Sequence, residues 1–212
     1  MKISEIFGPV IQGEGPEAGT PTIFIRLSGC NLNCDFCDSK YHKNGKEYSV
    51  EEVESEIIKR DLEHITITGG EAVLQEKELK KLFDLFGSVR YRLSHYNISL
   101  ETNGTILTQL PYDRIVVSPK KQAINKDVLK QYAQDDRNVS FKFVYENSND
   151  LWWEEVIKTC KLNKKRIYIM PEGMTRDEQL RKMAEVMEYC SKTGYKFGPR
   201  LHTLAYDNRR GV

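Results

Sequence analysis

No stretch of this chain approaches the ~20 consecutive apolar residues that cross a bilayer. Its opening residues, Met1-Lys2-Ile3-Ser4-Glu5, lack a signal-peptide core. A cytoplasmic protein with no membrane partner is therefore expected. Nor does one charge dominate: 32 Lys and Arg against 31 Asp and Glu leave a net charge of +1. The lysine clusters at 77–81 and 161–166 are offset by acids along most of the chain and read as solvated faces, so nucleic acid is not indicated as a partner. No linker divides the 212 residues, and one domain over 1–212 is expected. With 39% apolar and 30% charged residues, the composition is that of a folded chain, not a disordered one. Cysteine is scarce, at five residues. In a reducing compartment that number argues against a disulfide framework.

Three of those five are crowded into Cys30-Asn31-Leu32-Asn33-Cys34-Asp35-Phe36-Cys37, directly after an apolar segment. Thiolates hold soft metals, and closely spaced cysteines are the usual ligands of iron–sulfur clusters. Three ligands on a four-iron cluster leave one iron open, which suggests catalysis. The alternatives are a Cys3His zinc site completed by His42, or reduced thiols with no metal. Cys160 and Cys190 lie on apolar faces of predicted helices and read as buried small hydrophobes.

The spacing CxxxCxxC resembles the radical S-adenosylmethionine (SAM) superfamily. That resemblance implies a 4Fe-4S cluster whose open iron chelates SAM, and a reducing electron that releases a 5′-deoxyadenosyl radical.

Along the chain, Gly13, Gly15 and Gly19 form a loop ahead of the strand Thr22–Leu27. A dinucleotide-binding glycine turn would follow a strand and open a helix, so this loop is not one. Gln12 and Glu14 in it offer amide and carboxylate partners for a polar heterocycle. Arg26, inside an apolar strand, either pairs with a buried carboxylate or awaits one on a ligand.

A hairpin-like polar stretch is expected over 41–48. Ser49 to Glu52 is a capping box that opens a helix with Val53, Ile57 and Ile58 on its inner face. Strand 64–68 follows, then a helix carrying Leu79, Leu82, Phe83 and Phe86 and stopped by Gly87. Strands are expected at 97–100, 114–117, 139–145 and 166–169, and helices at 126–134 and 151–160, with Trp152 and Trp153 as core or helix-packing aromatics. A second capping box at Thr175 opens a helix whose core face is read as Leu180, Met183, Val186, Met187 and Cys190, ending at Gly194.

This alternation predicts an α/β fold of parallel βαβ units. About six units in this length suggest an incomplete (β/α) TIM-like barrel, since a closed one usually takes ~250 residues. Polar residues gather just after the strands, where such barrels build active sites, at GC, TGGE, ETNG, SPK and MPEG.

Taken with Gln12-Gly13-Glu14-Gly15, Arg26, Cys37-Asp38-Ser39, Thr68 to Glu71, Glu101 to Gly104, Ser118-Pro119-Lys120 and the tail from His202 to Val212, the chain resembles the 7-carboxy-7-deazaguanine synthase family. That resemblance implies a radical SAM lyase of queuosine and 7-deazapurine biosynthesis. Its reaction converts 6-carboxy-5,6,7,8-tetrahydropterin to 7-carboxy-7-deazaguanine with loss of ammonia.

By the same resemblance Cys30, Cys34 and Cys37 ligate the cluster. Phe36, Asp38, Gly70, Glu101, Ser118, Pro119, Lys120 and Met170, Pro171, Glu172 and Gly173 position SAM. Ile11, Gln12, Gly13, Glu14, Arg26, Thr68 and the terminal carboxylate of Val212 bind the pterin. Ser39 holds Mg²⁺, and the partners are a reducing donor such as flavodoxin or ferredoxin and a second copy in a homodimer. The competing readings are a glycyl-radical enzyme activase with the same cysteine spacing and a non-enzymatic zinc module.

Overall fold

The computed structural model describes residues 1–34, 37, 43–88 and 96–212, with Ser88 described in backbone only. Among these no helix is long and apolar enough to cross a membrane. The chain forms two compact units. The first comprises Met1–Val10, Pro21–Thr102 and Thr108–Ile115; the second comprises Ile11–Thr20, Asn103–Leu107 and Val116–Val212.

In the first unit, β1 (Lys2–Ile11) pairs antiparallel with the short β3 (Lys46–Glu47). The strand β2 (Pro21–Leu27) pairs in parallel with β4 (His64–Gly69), Ile23 opposite Ile65 and Leu27 opposite Gly69. β4 in turn pairs in parallel with β5 (Asn97–Thr102), Ile67 opposite Leu100. Ile23, Ile25, Leu27, Ile67 and Leu100 are fully buried, as expected of parallel strands covered on both faces.

Among the described residues this unit carries the α-helices α1 (Val50–Ile58) and α2 (Glu76–Ser88). The Ser49 box is formed in both directions: Glu52 N–H donates to Ser49 Oγ at 3.1 Å and Ser49 N–H to Glu52 Oε2 at 2.7 Å. The strand β6 (Arg114–Val117) begins in this unit and ends in the other.

The second unit carries β7 (Asn138–Tyr145), β8 (Ile167–Pro171) and β9 (Lys196–Phe197), paired in parallel in that order. Its helices are α3 (Lys126–Gln134), α4 (Trp153–Cys160), α5 (Arg176–Thr193) and the short α6 (Leu201–Tyr206). Trp153 is fully buried and stacks on Phe143 with centroids 6.3 Å apart, while Trp152 meets the same ring edge-on. Cys160 and Cys190 are buried, as their apolar settings implied. Burial pushes the Cys190 thiol up to about 11.

Four expectations need correction. The strand β1 was not anticipated, because Gly8 and Pro9 interrupt its alternation. The helix α2 continues through Gly87 to Ser88, since an exposed glycine weakens a helix by only ~1 kcal/mol. Ile58 is exposed, and α1 buries only Val53 and Ile57. In α5, Leu180 and Met187 are exposed, while Gln179, Val186 and Cys190 are buried. The register is set by Gln179, whose Nε2 donates to the carbonyls of Pro171 at 2.8 Å and Gly173 at 3.0 Å. That inward amide turns the neighbouring Leu180 outward. The hairpin expected at 41–48 falls partly outside the described residues; its end forms β3.

Candidate active site

The thiol loop begins where β2 ends. Buried Ser28 and left-handed Gly29, with φ +92°, deliver Cys30. All three loop thiols are partly exposed, in contrast to the two buried cysteines. Leu32 N–H donates to Cys30 Sγ at 3.4 Å, and Cys37 N–H to the Cys34 carbonyl at 3.3 Å.

The turn after β4 presses against the root of this loop. Glu71 N–H donates to the Gly29 carbonyl at 2.9 Å. A Cβ on Gly70 would stand 2.1 Å from that carbonyl and 2.7 Å from Cys30 Cβ. Only glycine fits there.

Burial raises the Cys30 thiol; the Leu32 amide opposes this, while Glu71, Cys34 and Cys37 reinforce it. Three thiolates in one loop repel one another unless a cation joins them, which is the donor chemistry of an iron–sulfur cluster. Among the described residues no three His, Cys, Asp or Glu side chains gather where one ion could sit. A cluster does not require such a point, because each thiolate binds a different iron. An open cleft lined by Lys2, Ser28, Gly29, Cys30, Leu32, Asn33 and Lys43 lies beside the loop. Phe36, Asp38, Ser39 and His42 fall outside the described residues.

The ends of β4 and β5 bring Thr68 and Glu101 together, the Thr68 hydroxyl donating to Glu101 Oε2 at 2.9 Å. Glu71 is fully buried and accepts at Oε1 from the Thr102 hydroxyl at 2.9 Å and Val73 N–H at 3.1 Å. Arg26 donates from Nε to Glu5 Oε1 at 2.9 Å, both side chains being largely buried. The Arg26 charge is thus paired with a buried carboxylate of the chain itself.

In the second unit the glycine loop is tightly held. Gln12 is buried and its Oε1 accepts Glu14 N–H at 3.1 Å. The Gly13 carbonyl accepts Leu201 N–H at 2.9 Å. A Cβ on Gly13 would meet His202 Nδ1 at 2.1 Å. Glu14 takes Lys142 Nζ at 2.5 Å and Arg200 Nε at 2.7 Å, with His202 Nε2 at 3.8 Å. Burial by itself would raise the Glu14 carboxyl, but Lys142, Arg200 and His202 outweigh it and hold it well below the usual range.

Arg200 also donates from its guanidinium to the Gly173 carbonyl at 2.6 Å. That carbonyl belongs to the Met170 to Gly173 turn, where Met170 is buried and Glu172 pairs with Lys182. After β6, Lys120 Nζ donates to Ser118 Oγ at 2.9 Å, and Pro119 lies between them. Ile11, at the end of β1, is half exposed, and Val212 is partly exposed.

Lys142 and Arg200 were not singled out from the sequence, and His202 entered only as the start of the tail. Lys142 carried a signal, a lone cation in the apolar alternation of β7, of the same kind that drew attention to Arg26. Arg200 carried none.

The chain matches the Radical SAM superfamily over residues 24–120. It is 33% identical to the 7-carboxy-7-deazaguanine synthase of Hyperthermus butylicus, covering 96% of this chain and 92% of that one. It is 30% identical to the enzyme of the same name from Bacillus subtilis, covering 100% and 98%. The crystal structure of QueE from Escherichia coli superposes with a TM-score of 0.72 at 24% identity, over 95% of this chain and 94% of that one. That likeness supports the incomplete (β/α) barrel expected from the alternation of strands and helices. A chain that keeps a third of its residues in common with a named relative, from end to end, belongs to that relative's family, the 7-carboxy-7-deazaguanine synthases of the radical SAM superfamily.

Proposed function

We propose that the chain, working as one catalytic domain over residues 1–212, converts 6-carboxy-5,6,7,8-tetrahydropterin to 7-carboxy-7-deazaguanine with loss of ammonia, within 7-deazapurine biosynthesis. The observation that carries this reading is the near-complete alignment with synthases of that name. Family membership makes a 4Fe-4S cluster and SAM its cofactors. When bound, they would supply one-electron radical chemistry, and the hydrogen-atom transfer itself needs no side-chain acid with a tuned pKa.

The chain's residues then bind, orient and exclude water. Cys30, Cys34 and Cys37 hold the cluster, and Gly70 leaves room at the root of their loop. Glu101, fixed by Thr68, joins Ser118, Pro119, Lys120 and the Met170 to Gly173 turn in holding SAM, with Phe36 and Asp38. Ile11, Gln12, Gly13, Glu14, Thr68, Arg26 and Val212 receive the pterin. The Glu5 pair keeps the Arg26 guanidinium oriented, which suits planar recognition of a carboxylate. Ser39 supplies a hydroxyl to Mg²⁺, an ion that prefers oxygen ligands. A reducing donor such as flavodoxin or ferredoxin delivers the electron, in the cytoplasm, to a homodimer.

Anaerobic incubation of the cluster-loaded chain with dithionite, SAM, Mg²⁺ and the carboxypterin tests this reading. Deazaguanine product is expected. Loaded enzyme that binds SAM but forms no product would overturn the assignment in favour of a protein-directed activase. Zinc in place of iron, lost in His42→Ala and kept without visible colour otherwise, would mean a zinc module.

A further inference from the structure

We infer that Arg200 is a positioning residue that couples the pterin loop to the SAM turn, so that filling one site strengthens binding at the other. This rests on the assignment of Gln12 to Glu14 and of Met170 to Gly173 given above. One guanidinium spans the two elements: Nε donates to Glu14 Oε1 at 2.7 Å, and a terminal nitrogen donates to the Gly173 carbonyl at 2.6 Å. The planar fork fixes both directions at once, so a shift of either element is carried to the other.

Neither end of the bridge yields easily. On one side, the Leu201 amide holds the Gly13 carbonyl at 2.9 Å, and Lys142 holds the other Glu14 oxygen at 2.5 Å. On the other, Gly173 has φ +148°, and a Cβ there would meet Glu178 Cβ at 2.7 Å. Its carbonyl also takes Gln179 Nε2 at 3.0 Å. The Arg200 side chain is largely buried, so water does not compete well for its donors.

Lysine at this position separates charge from bridging. It compensates Glu14 as a single point charge but cannot present two fixed donors.

The test is anaerobic equilibrium binding of SAM and of the carboxypterin, alone and together, to the unreduced, cluster-loaded chain and to Arg200→Lys. In the native chain each ligand is expected to raise the other's affinity by the same factor, on the order of tenfold. In Arg200→Lys that factor is expected to fall to about one, with both ligands still bound. Independent binding in the native chain, or undiminished coupling in Arg200→Lys, would overturn the inference. Failure of the carboxypterin to bind the native chain would instead bring down the functional assignment. A measurement that needs no variant is amide hydrogen exchange over 172–174 in the native holoenzyme. The pterin alone is expected to slow it, and unchanged exchange refutes the coupling.

Discussion

The Thr68 hydroxyl, on β4, donates to the Glu101 carboxylate on the adjacent parallel strand at 2.9 Å. A hydrogen bond to a charged acceptor contributes about 1.5–3 kcal/mol, so its loss is felt as at least a tenfold change where the acceptor's orientation matters. Thr68→Val is expected to weaken SAM binding roughly tenfold with unchanged iron content, and Thr68→Ser to restore it. Equal SAM affinity in all three proteins would show that Glu101 does not depend on this contact.

Gly70→Ala places a methyl group 2.1 Å from the Gly29 carbonyl and 2.7 Å from Cys30 Cβ, against backbone that has little room to give. We expect a folded protein with depleted iron and sulfide. Gly87→Ala serves as the contrast: it meets nothing within 4 Å on α2 and should stabilise by about 0.5–1 kcal/mol. Metal analysis and thermal unfolding read the two effects separately.

Ser39→Ala is expected to weaken activation by Mg²⁺ while leaving cluster content alone, because one oxygen ligand is lost from an ion that keeps much of its water. An unchanged Mg²⁺ titration would remove Ser39 from that role.

Acid should release the clamp on Glu14. The folded carboxyl is held well below the ordinary glutamate value of 4.5, so its stabilising contribution is complete above that value. It declines as pH falls from 4.5 through the lower folded value. Native protein should therefore lose stability relative to Glu14→Gln in that window and not at neutral pH. Parallel denaturation curves across the acid range would contradict the ion pairing.

The phase of α5 is open to direct test. Trp153→Ala, on α4, sets the scale for a fully buried aromatic lost from the core and should destabilise by about 3–5 kcal/mol. Met187→Gln should change stability by no more than about 0.5 kcal/mol, because that side chain is exposed. Comparable losses in the two variants would place Met187 in the core after all.

Much of the local structure was legible because it rests on neighbours in sequence. The boxes at Ser49 and Thr175 form as their spacing requires, since both partners lie within one helical turn. The helix at 126–134 and the strand at 139–145 form where periodicity placed them, although β7 is buried on both faces, Ser140 and Lys142 included. The inward face of α5 was not legible. Two apolar seams lie side by side on that helix, and a polar residue, Gln179, chose between them by satisfying carbonyls of another element.

The chain by itself determined that three thiols share one loop, that glycine-marked turns follow the strands, and that strands alternate with helices, because each depends on covalent spacing. The tertiary structure alone decided which charges meet. Glu14 finds Lys142 and Arg200, 128 and 186 residues further along the chain, and Arg26 finds Glu5. A buried charge must have a counter-charge, but the requirement names no partner. Only the folding of distant segments against one another supplies it.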